Sequence, residues 1–316
     1  MSKVTPTSSP PRSTHPLNPR VPQEITRVCA VWTTQSLPPL QTHYKILDKI
    51  RDKEAFICDM DGVIYHGSKL LPGVKEFIAW LKKENKKFLF LTNNSAPTPR
   101  ELRDKMLRLG VDVPEEHFYT SGMATAKYLL SQRPEGGTCY VVGEPGLVYA
   151  LYESNFTMND QDPDYVIIGE GKTYNFDNLS KACICVNKGA RLIGTNPDVN
   201  GPGEGGVIIP ACASFVSTVE KATGRQAFYC GKPSSIMMRY AQRLLQTNRR
   251  DVCIIGDRMD TDILAGINSE MDSVLVLSGV SFMDNFSHLP YQPTLVLEGV
   301  FQIPPEEDKE KLVESQ

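Results

Sequence analysis

The chain has few of the features that mark membrane proteins or nucleic-acid-binding proteins. Its 316 residues contain no apolar run that approaches the roughly 20 residues needed to span a bilayer. The formal net charge is only -3, so electrostatics give no strong reason to expect a nucleic acid or an anionic membrane as partner. With 41% hydrophobic residues, however, the chain can build a sizeable core. We therefore expect a globular protein that acts on a small molecule, with no nucleic-acid or membrane partner.

Disulfide and zinc frameworks are also not indicated. None of the eight cysteines forms a Cys-x-x-Cys pair, and several lie inside apolar runs. The five histidines are scattered without metal-ligand spacing. This usage favours buried, reduced thiols in a reducing compartment, and a cytoplasmic location is predicted.

The two ends of the chain differ from the middle. The first 25 or so residues are rich in Pro, Ser and Thr, and they contain Lys3, Arg12 and Arg20 with no acid before Glu24. We interpret residues 1–50 as a disordered or irregular extension. The composition leaves organelle targeting open, although no amphipathic helix is visible. Residues 304–316 are predicted to be a charged tail.

The strongest signal is Asp59-Met60-Asp61-Gly62, which follows the apolar run Ala55-Phe56-Ile57-Cys58. The run predicts a buried parallel strand, and open α/β sheets bind ligands outside the carboxyl ends of such strands. Residues two apart on an extended chain point the same way, so Asp59 and Asp61 can face one site. A turn without function is the structural alternative for this segment alone.

Two more apolar runs end in polar residues. Lys87-Phe88-Leu89-Phe90-Leu91, apolar apart from its first residue, leads into Thr92-Asn93-Asn94-Ser95. Val252-Cys253-Ile254-Ile255 leads into Gly256-Asp257-Arg258-Met259-Asp260-Thr261-Asp262. Adjacent parallel strands would bring all three ends together. Gly231-Lys232-Pro233-Ser234 adds an ammonium group just before a predicted helix, where anions are favoured. These are the parts of a Mg²⁺-assisted phosphoryl-transfer site.

That helix is predicted from its apolar stripe. The residues expected on the buried face are Ile236, Met237, Tyr240, Leu244 and Leu245.

The four motifs in this order resemble the haloacid dehalogenase (HAD) superfamily of phosphatases, over roughly residues 52–303. Further segments are similar to its NagD-like branch, which has a C2-type cap. They are Tyr119-Thr120-Ser121-Gly122-Met123-Ala124-Thr125-Ala126, Tyr140-Val141-Val142-Gly143-Glu144, Thr195-Asn196-Pro197-Asp198 and Val276-Leu277-Ser278-Gly279-Val280. The resemblance implies hydrolysis of small phosphomonoesters.

The resemblance also implies roles for the two leading acids. Asp59 is expected to be the nucleophile that forms an aspartyl-phosphate, and Asp61 the acid that protonates the leaving alkoxide and then activates water.

The remaining motif residues would hold the phosphoryl group and Mg²⁺. Thr92 and Lys232 are expected to bind phosphoryl oxygens, and Asn93 to assist through its backbone or amide. Asp257 would bind Mg²⁺ together with the Asp59 carboxylate and the Asp61 backbone carbonyl. Asp262 would position the metal's waters or orient Lys232.

Two other residues of the last motif receive no assigned role. Asp260 is interpreted as a solvated loop acid, and Arg258 is left open. Asn196 and Asp198 of the cap are interpreted either as turn residues or as residues near the substrate.

The expected fold class is α/β, with a Rossmann-like HAD core built on a parallel sheet and an inserted α/β cap domain. Strand-like and helical runs alternate along the chain, as this class requires. The span between Thr92 and Lys232 is too long for one crossover. We place the core at 51–131 and 227–303 and the cap at 132–226, where it would close over the site and exclude water.

The substrate is the least determined feature. Nucleoside 5'-monophosphates such as UMP are typical of the NagD-like branch, and Pro210-Ala211-Cys212-Ala213 resembles that branch. Pyridoxal phosphate, phosphoglycolate, glycerol phosphate and sugar phosphates are the alternatives. The resemblance also implies a homodimer formed through the cap. A phospho-Asp receiver without turnover and a retired binding protein are the remaining hypotheses.

Overall fold

Two parallel sheets organise the computed structural model, which describes residues 40–172, 174–202, 207–280 and 288–306. The N-terminal extension through residue 39, Cys29 within it, the glycines at 203, 205 and 206, and the tail from residue 307 lie outside the described residues. Numbered in chain order, the strands are β1 Ala55–Cys58, β2 Tyr65–His66, β3 Lys69–Leu70, β4 Lys87–Thr92, β5 Phe118–Thr120, β6 Gly137–Val142, β7 Phe156–Met158, β8 Tyr165–Ile168, β9 Arg191–Gly194, β10 Asn200–Pro202, β11 Ile208–Pro210, β12 Phe228–Tyr229, β13 Val252–Gly256, β14 Asp272–Val276 and β15 Leu295–Leu297.

Helices connect most of the parallel strands, as a parallel sheet requires. They are α1 Leu40–Arg51, α2 Val74–Lys83, α3 Pro99–Arg108, α4 Ser121–Gln132, α5 Pro145–Tyr152, α6 Phe176–Lys188, α7 Cys212–Thr223, α8 Ser235–Leu245 and α9 Leu264–Asn268. The prediction of irregular structure up to residue 50 is wrong from Leu40 onward, because α1 buries Leu47 and Ile50 against the first sheet's core.

The first sheet places the predicted site residues at neighbouring strand ends. Its order is β15-β14-β13-β1-β4-β5, and every neighbouring pair is parallel. The central strand β1 pairs Cys58 with Ile255 on one side and with Phe90 on the other. The expectation that the three polar segments emerge side by side is therefore confirmed.

Both faces of the first sheet are covered, which explains why its strands are continuously apolar. On one face, Phe56 packs against Phe77 and Trp80 of α2, with ring centroids 6.3 and 5.6 Å away. On the other face, Ile57 and Ile254 contact a cluster that includes Met237 and Met238 of α8. Burying this sheet fixes the strand ends that carry the site.

The buried face of α8 differs from the predicted stripe. Met237, Met238, Ala241 and Leu245 are buried, whereas the Leu244 side chain is 56% exposed. The helix contacts the sheet along a line rotated from the one that the apolar positions suggest.

The second sheet has the order β12-β9-β8-β6-β7, again with parallel neighbours. Helices α6 and α7 pack on one face, and α4 and α5 on the other. Strand β12 lies beyond residue 226, where the sequence analysis ended the cap. Since β12 pairs with β9, the second sheet continues to Tyr229.

Two general expectations can be compared with the described residues. Within them, no helix is both long and apolar enough to cross a membrane. The seven cysteines in this part of the chain are unpaired, and Cys183 alone among those seven is not fully buried.

Replacing Phe77 by Ala is expected to lower the free energy of unfolding by about 3–5 kcal/mol, because a fully buried ring leaves a cavity between Phe56 and Trp80. Urea unfolding monitored by circular dichroism measures the change. Phe176→Ala is the matched control, since that ring is 84% exposed and its loss should change stability by less than about 0.5 kcal/mol. Equal effects of the two substitutions would contradict the packing described here.

Candidate active site

The site forms where β1, β4 and β13 end. Asp59 follows β1 directly and donates its backbone N–H to Ile255 O at 2.8 Å, which continues the pairing with β13 by one residue. Thr92 is the last residue of β4, and Asp257 follows β13. The three residues therefore lie at the carboxyl ends of three neighbouring strands of the sheet.

Lys232 is the cation at the centre of the site. Its Nζ donates to Asp59 Oδ1 at 2.6 Å and to Asp262 Oδ1 at 2.7 Å, and its side chain is only 2% exposed. Burial alone would lower the pKa of Lys232, but the attraction of Asp262 and Asp59 outweighs it and raises the pKa above its usual value. The lysine is thus held as a fixed, fully charged ammonium.

Negative charge nonetheless exceeds positive charge at this position. Oxygens of Asp59, Asp257 and Asp262 lie within 4.8 Å of one another. Burial, followed by the charges of Asp59 and Asp262, raises the pKa of Asp257 to about 8. Asp257 Oδ2 accepts a hydrogen bond from Val280 N at 2.7 Å, while the buried Oδ1 has no hydrogen-bond partner among the described residues. Such an oxygen cluster fits a hard divalent cation, which would supply the missing positive charge.

Two glycines leave the space that Asp257 occupies. Gly62 has a φ of +80°, and a Cβ there would overlap the Asp257 carboxylate. A Cβ on Gly279 would overlap the same group. The two glycine segments are joined by a hydrogen bond from Ser278 Oγ to Gly62 O at 2.7 Å. The backbone therefore closes tightly around Asp257 from both sides.

Asp262 is buried by a wide helical turn. Residues Met259–Ile263 form one π-helical turn that leads into α9, a geometry often found at functional sites. Asp262 Oδ2 accepts from Arg258 N at 3.2 Å, and its Oδ1 faces Lys232. Burial raises the pKa of Asp262 to about 6, with Lys232 opposing and Asp59 adding to the shift.

Asp61 lies apart from the acidic cluster. Its side chain is exposed, and its backbone bridges to Tyr65. Partial loss of solvent around the carboxyl raises the pKa of Asp61, while the charges of Lys105 and His66 partly offset that rise. A raised pKa at an accessible carboxyl suits a group that must gain and lose a proton.

The structure changes the expected role of Asn93. Its Nδ2 donates to Asp198 Oδ2 and to Lys232 O, both at 3.0 Å, and its Oδ1 accepts from Lys232 N at 2.8 Å. Both amide protons are used, so the amide has no donor left for a phosphoryl oxygen. The contribution of the Asn93 backbone stays a prediction. Thr92 Oγ1 accepts from Asn94 N at 3.1 Å and can still donate its own proton.

A cleft of about 440 Å³ lies beside these groups. It is lined by Asp198, Arg258 and Asp260, together with Pro197, Val199, Asn200, Pro233 and Thr261. Arg258 forms two hydrogen bonds with Asp260, at 2.9 and 3.1 Å, and lies 4.0 Å from Asp198. Asp260 is 67% exposed, in keeping with a solvated loop acid, and its pairing with Arg258 was not foreseen.

One residue near the site, Glu170, was not predicted from the sequence. Glu170 follows β8 and accepts hydrogen bonds from Asn196 Nδ2 at 3.1 Å and from Cys212 N at 3.3 Å. Its position after a buried strand in the second sheet is the signal that could have identified it, since the other site residues follow strands in the same way.

Comparison with known proteins gives consistent matches. A family profile described as haloacid dehalogenase-like hydrolase matches residues 56–157, and a second profile of HAD-like hydrolases matches residues 229–303. Ribonucleotide monophosphatase NagD of Escherichia coli is 42% identical, with 78% of this chain and 96% of that protein covered. Dihydroxyacetone phosphatase of Corynebacterium glutamicum is 40% identical over 78% of this chain and 89% of its own length. The 5'-nucleotidase YutF of Bacillus subtilis is 33% identical, with 78% of this chain and 96% of that protein covered.

Solved structures agree with these matches. NagD from Escherichia coli superposes with a TM-score of 0.74 at 41% identity, covering 80% of this chain and 98% of that one. A 4-nitrophenylphosphatase from Thermotoga maritima superposes with a TM-score of 0.77 at 32% identity, covering 81% of this chain and 97% of that one.

Replacing Gly62 by Ala is expected to displace Asp257 and weaken divalent-cation binding by at least about tenfold, because the new Cβ overlaps that carboxylate. Isothermal titration with Mg²⁺ measures the affinity. Gly67→Ala is the control: Gly67 also has a positive φ, +55°, but no atom lies within 4 Å of its added Cβ. The Gly67→Ala variant has the strain of a side chain at positive φ but no overlap with a carboxylate. A similar loss of affinity in both variants would therefore argue against the cation site.

Proposed function

The chain belongs to the haloacid dehalogenase-like hydrolase family and is a phosphoric monoester hydrolase of its NagD-like branch, and from this premise we propose that its substrates are nucleoside 5'-monophosphates such as UMP. We propose further that hydrolysis proceeds through an aspartyl-phosphate on Asp59. The observation that carries the mechanism is the buried Lys232, which contacts Asp59 within a cluster that has excess negative charge.

Asp59 is the proposed nucleophile. Burial raises its pKa, but the contact with Lys232 opposes that rise and favours the anion that attack requires. An oxygen of the carboxylate attacks phosphorus, and the bond between phosphorus and the ester oxygen breaks. We expect Lys232 to contact phosphoryl oxygens as charge develops on them, with the Thr92 hydroxyl as a neutral donor.

Asp61 is the proposed acid and base. It donates its proton to the departing ester oxygen, since an alkoxide is a poor leaving group. The resulting carboxylate then takes a proton from the water that attacks the phosphorus of the aspartyl-phosphate. This second attack releases inorganic phosphate and restores Asp59. The raised pKa of Asp61 favours the protonated form needed at the start.

Magnesium is the proposed cofactor. The Asp59 and Asp257 carboxylates and the Asp61 backbone carbonyl would hold it, with Asp262 as support. The unpartnered Asp257 Oδ1 within the described residues is the observation that fits this ligand set. When bound, Mg²⁺ offsets the repulsion between the carboxylate nucleophile and a phosphate dianion.

The preference for a nucleotide rests on similarity to NagD, whose name specifies ribonucleotide monophosphates. Other relatives are named dihydroxyacetone phosphatase and acid sugar phosphatase, and they make another small ester the alternative. Membership of the hydrolase family argues against the receiver hypothesis. The competent residues at the motif positions, Asp59, Asp61 and Lys232 among them, argue against a retired binding protein.

Asp59→Asn is expected to reduce turnover by at least about a thousandfold, because an amide cannot form the aspartyl-phosphate. Phosphate release in Mg²⁺ measures the rate, and thermal unfolding shows whether the variant folds. Asp160→Asn is the matched control, because Asp160 is an exposed acid of the second sheet's region and should leave turnover unchanged. Retained activity in Asp59→Asn would refute the mechanism.

We expect kcat/KM to be highest for UMP or a related nucleotide in a panel of small phosphomonoesters. The panel contains UMP, other nucleoside monophosphates, pyridoxal phosphate, phosphoglycolate, glycerol phosphate and sugar phosphates. Each ester is assayed with Mg²⁺ and with EDTA, and EDTA should abolish release in every case. A higher value for a different ester would keep the mechanism and reject the nucleotide assignment.

A further inference from the structure

The second sheet is hydrogen-bonded directly to the segment that carries Lys232. Strand β12 leads into Cys230, whose N–H donates to Gly194 O at 3.3 Å, and Gly231 N donates to Thr195 O at 2.7 Å. These bonds extend the β9–β12 pairing to the residue before the lysine. A Cβ on Gly231 would come within 2.6 Å of Thr195 O, so the two segments are in close contact.

Asn93 links the two sheets at the lysine itself. Its amide exchanges two hydrogen bonds with the backbone of Lys232, accepting at 2.8 Å and donating at 3.0 Å. This arrangement fixes the Lys232 backbone to the end of β4. The amide of Asn93 therefore holds the backbone from which the Lys232 side chain extends to Asp59 and Asp262.

The loop after β9 holds that amide. Asp198 Oδ2 accepts from Asn93 Nδ2 at 3.0 Å, and Asn196 Nδ2 donates to Asn93 O at 2.8 Å. Asn196 in turn accepts from Asp198 N at 3.0 Å and donates to Glu170 at 3.1 Å. Three residues of the second sheet's loops thus form one continuous network that ends on Asn93.

We propose that Asp198 is a positioning residue for Lys232, acting through Asn93. In this view, which rests on the proposed function, the second sheet does more than cover the substrate: its loop sets the geometry of the catalytic ammonium. A large independent movement of this sheet would break the bonds at Asn93 and Gly231. The loop and the lysine segment are therefore expected to move together.

We expect this position to require a hydrogen-bond acceptor rather than a negative charge. The nearest cation, Arg258, is 4.0 Å from Asp198 Oδ1 and is already paired with Asp260. An asparagine at 198 can present its oxygen to Asn93 Nδ2, whereas an alanine cannot. Asp198→Asn should therefore preserve the function that Asp198→Ala loses.

The test uses the full-length protein with Mg²⁺ and two readouts. Hydrogen–deuterium exchange follows the Lys232 amide, which donates to Asn93, and kcat is measured on UMP and on 4-nitrophenyl phosphate. In Asp198→Ala we expect exchange at Lys232 to be about five- to tenfold faster, and kcat to fall by a similar factor on both esters. Both esters share the phosphoryl group that Lys232 contacts, so the loss should not depend on the leaving group. Asp198→Asn should be close to wild type in both readouts.

Asp164→Ala is the matched control. Asp164 accepts from Thr138 N at 2.8 Å and Thr138 Oγ1 at 3.0 Å, so it makes comparable hydrogen bonds within the second sheet but none to Asn93. Its loss should lower the unfolding temperature without changing Lys232 exchange. If Asp198→Ala does not fold, Asn196→Ala releases Asn93 from its carbonyl side and is expected to show the same pattern.

The outcomes separate this proposal from the proposed function. Unchanged Lys232 exchange in the folded variants overturns the positioning role. A loss confined to the KM of one ester and shared by Asp198→Asn also overturns it, in favour of direct contact with the leaving group. Faster exchange in a protein whose wild type hydrolyses no ester supports positioning and rejects the phosphatase function.

Discussion

The structure depends on one buried ionic contact, the ammonium of Lys232 between the carboxylates of Asp59 and Asp262. A buried charge is stable only when it is paired and hydrogen-bonded, so this lysine requires both acids, and both acids require it. The contact joins Asp59, directly after β1, to Lys232 in the segment before α8 and to Asp262 in the turn before α9. Packing on both faces of the first sheet holds these elements at the distances that the pairing needs.

The same contact leaves negative charge unbalanced. With Asp257 added, three carboxylates cluster near one ammonium, and burial, followed by repulsion from Asp59 and Asp262, raises the pKa of Asp257. The backbone closes over Asp257 at Gly62 and Gly279, where a side chain would not fit. The protein thus preserves an electrostatically unfavourable arrangement that a divalent cation can relieve, which is the property that phosphoryl transfer uses.

Hydrogen bonds connect the two sheets at this site. Lys232 lies between β12 of the second sheet and α8 of the first, and Asn93 and Asp198 join the sheets across the lysine. Residues that would read the leaving group and residues that would hold the phosphoryl group therefore share hydrogen bonds. Substitutions in the loop after β9 should be interpreted with this coupling in mind, because they can change chemistry without contacting the substrate.

Local signals in the sequence determined the strands and the identity of the charged groups. Four-residue apolar runs such as Ala55–Cys58 specify buried strands because parallel strands are covered on both faces, and acids that follow them must lie at the sheet edge. Tertiary structure alone decided which distant residues contact one another. Asn93 contacts Asp198 across 105 residues of chain, and Leu244 is exposed because α8 packs along a rotated line. Such contacts depend on how distant elements pack, and no local pattern of residues encodes that geometry.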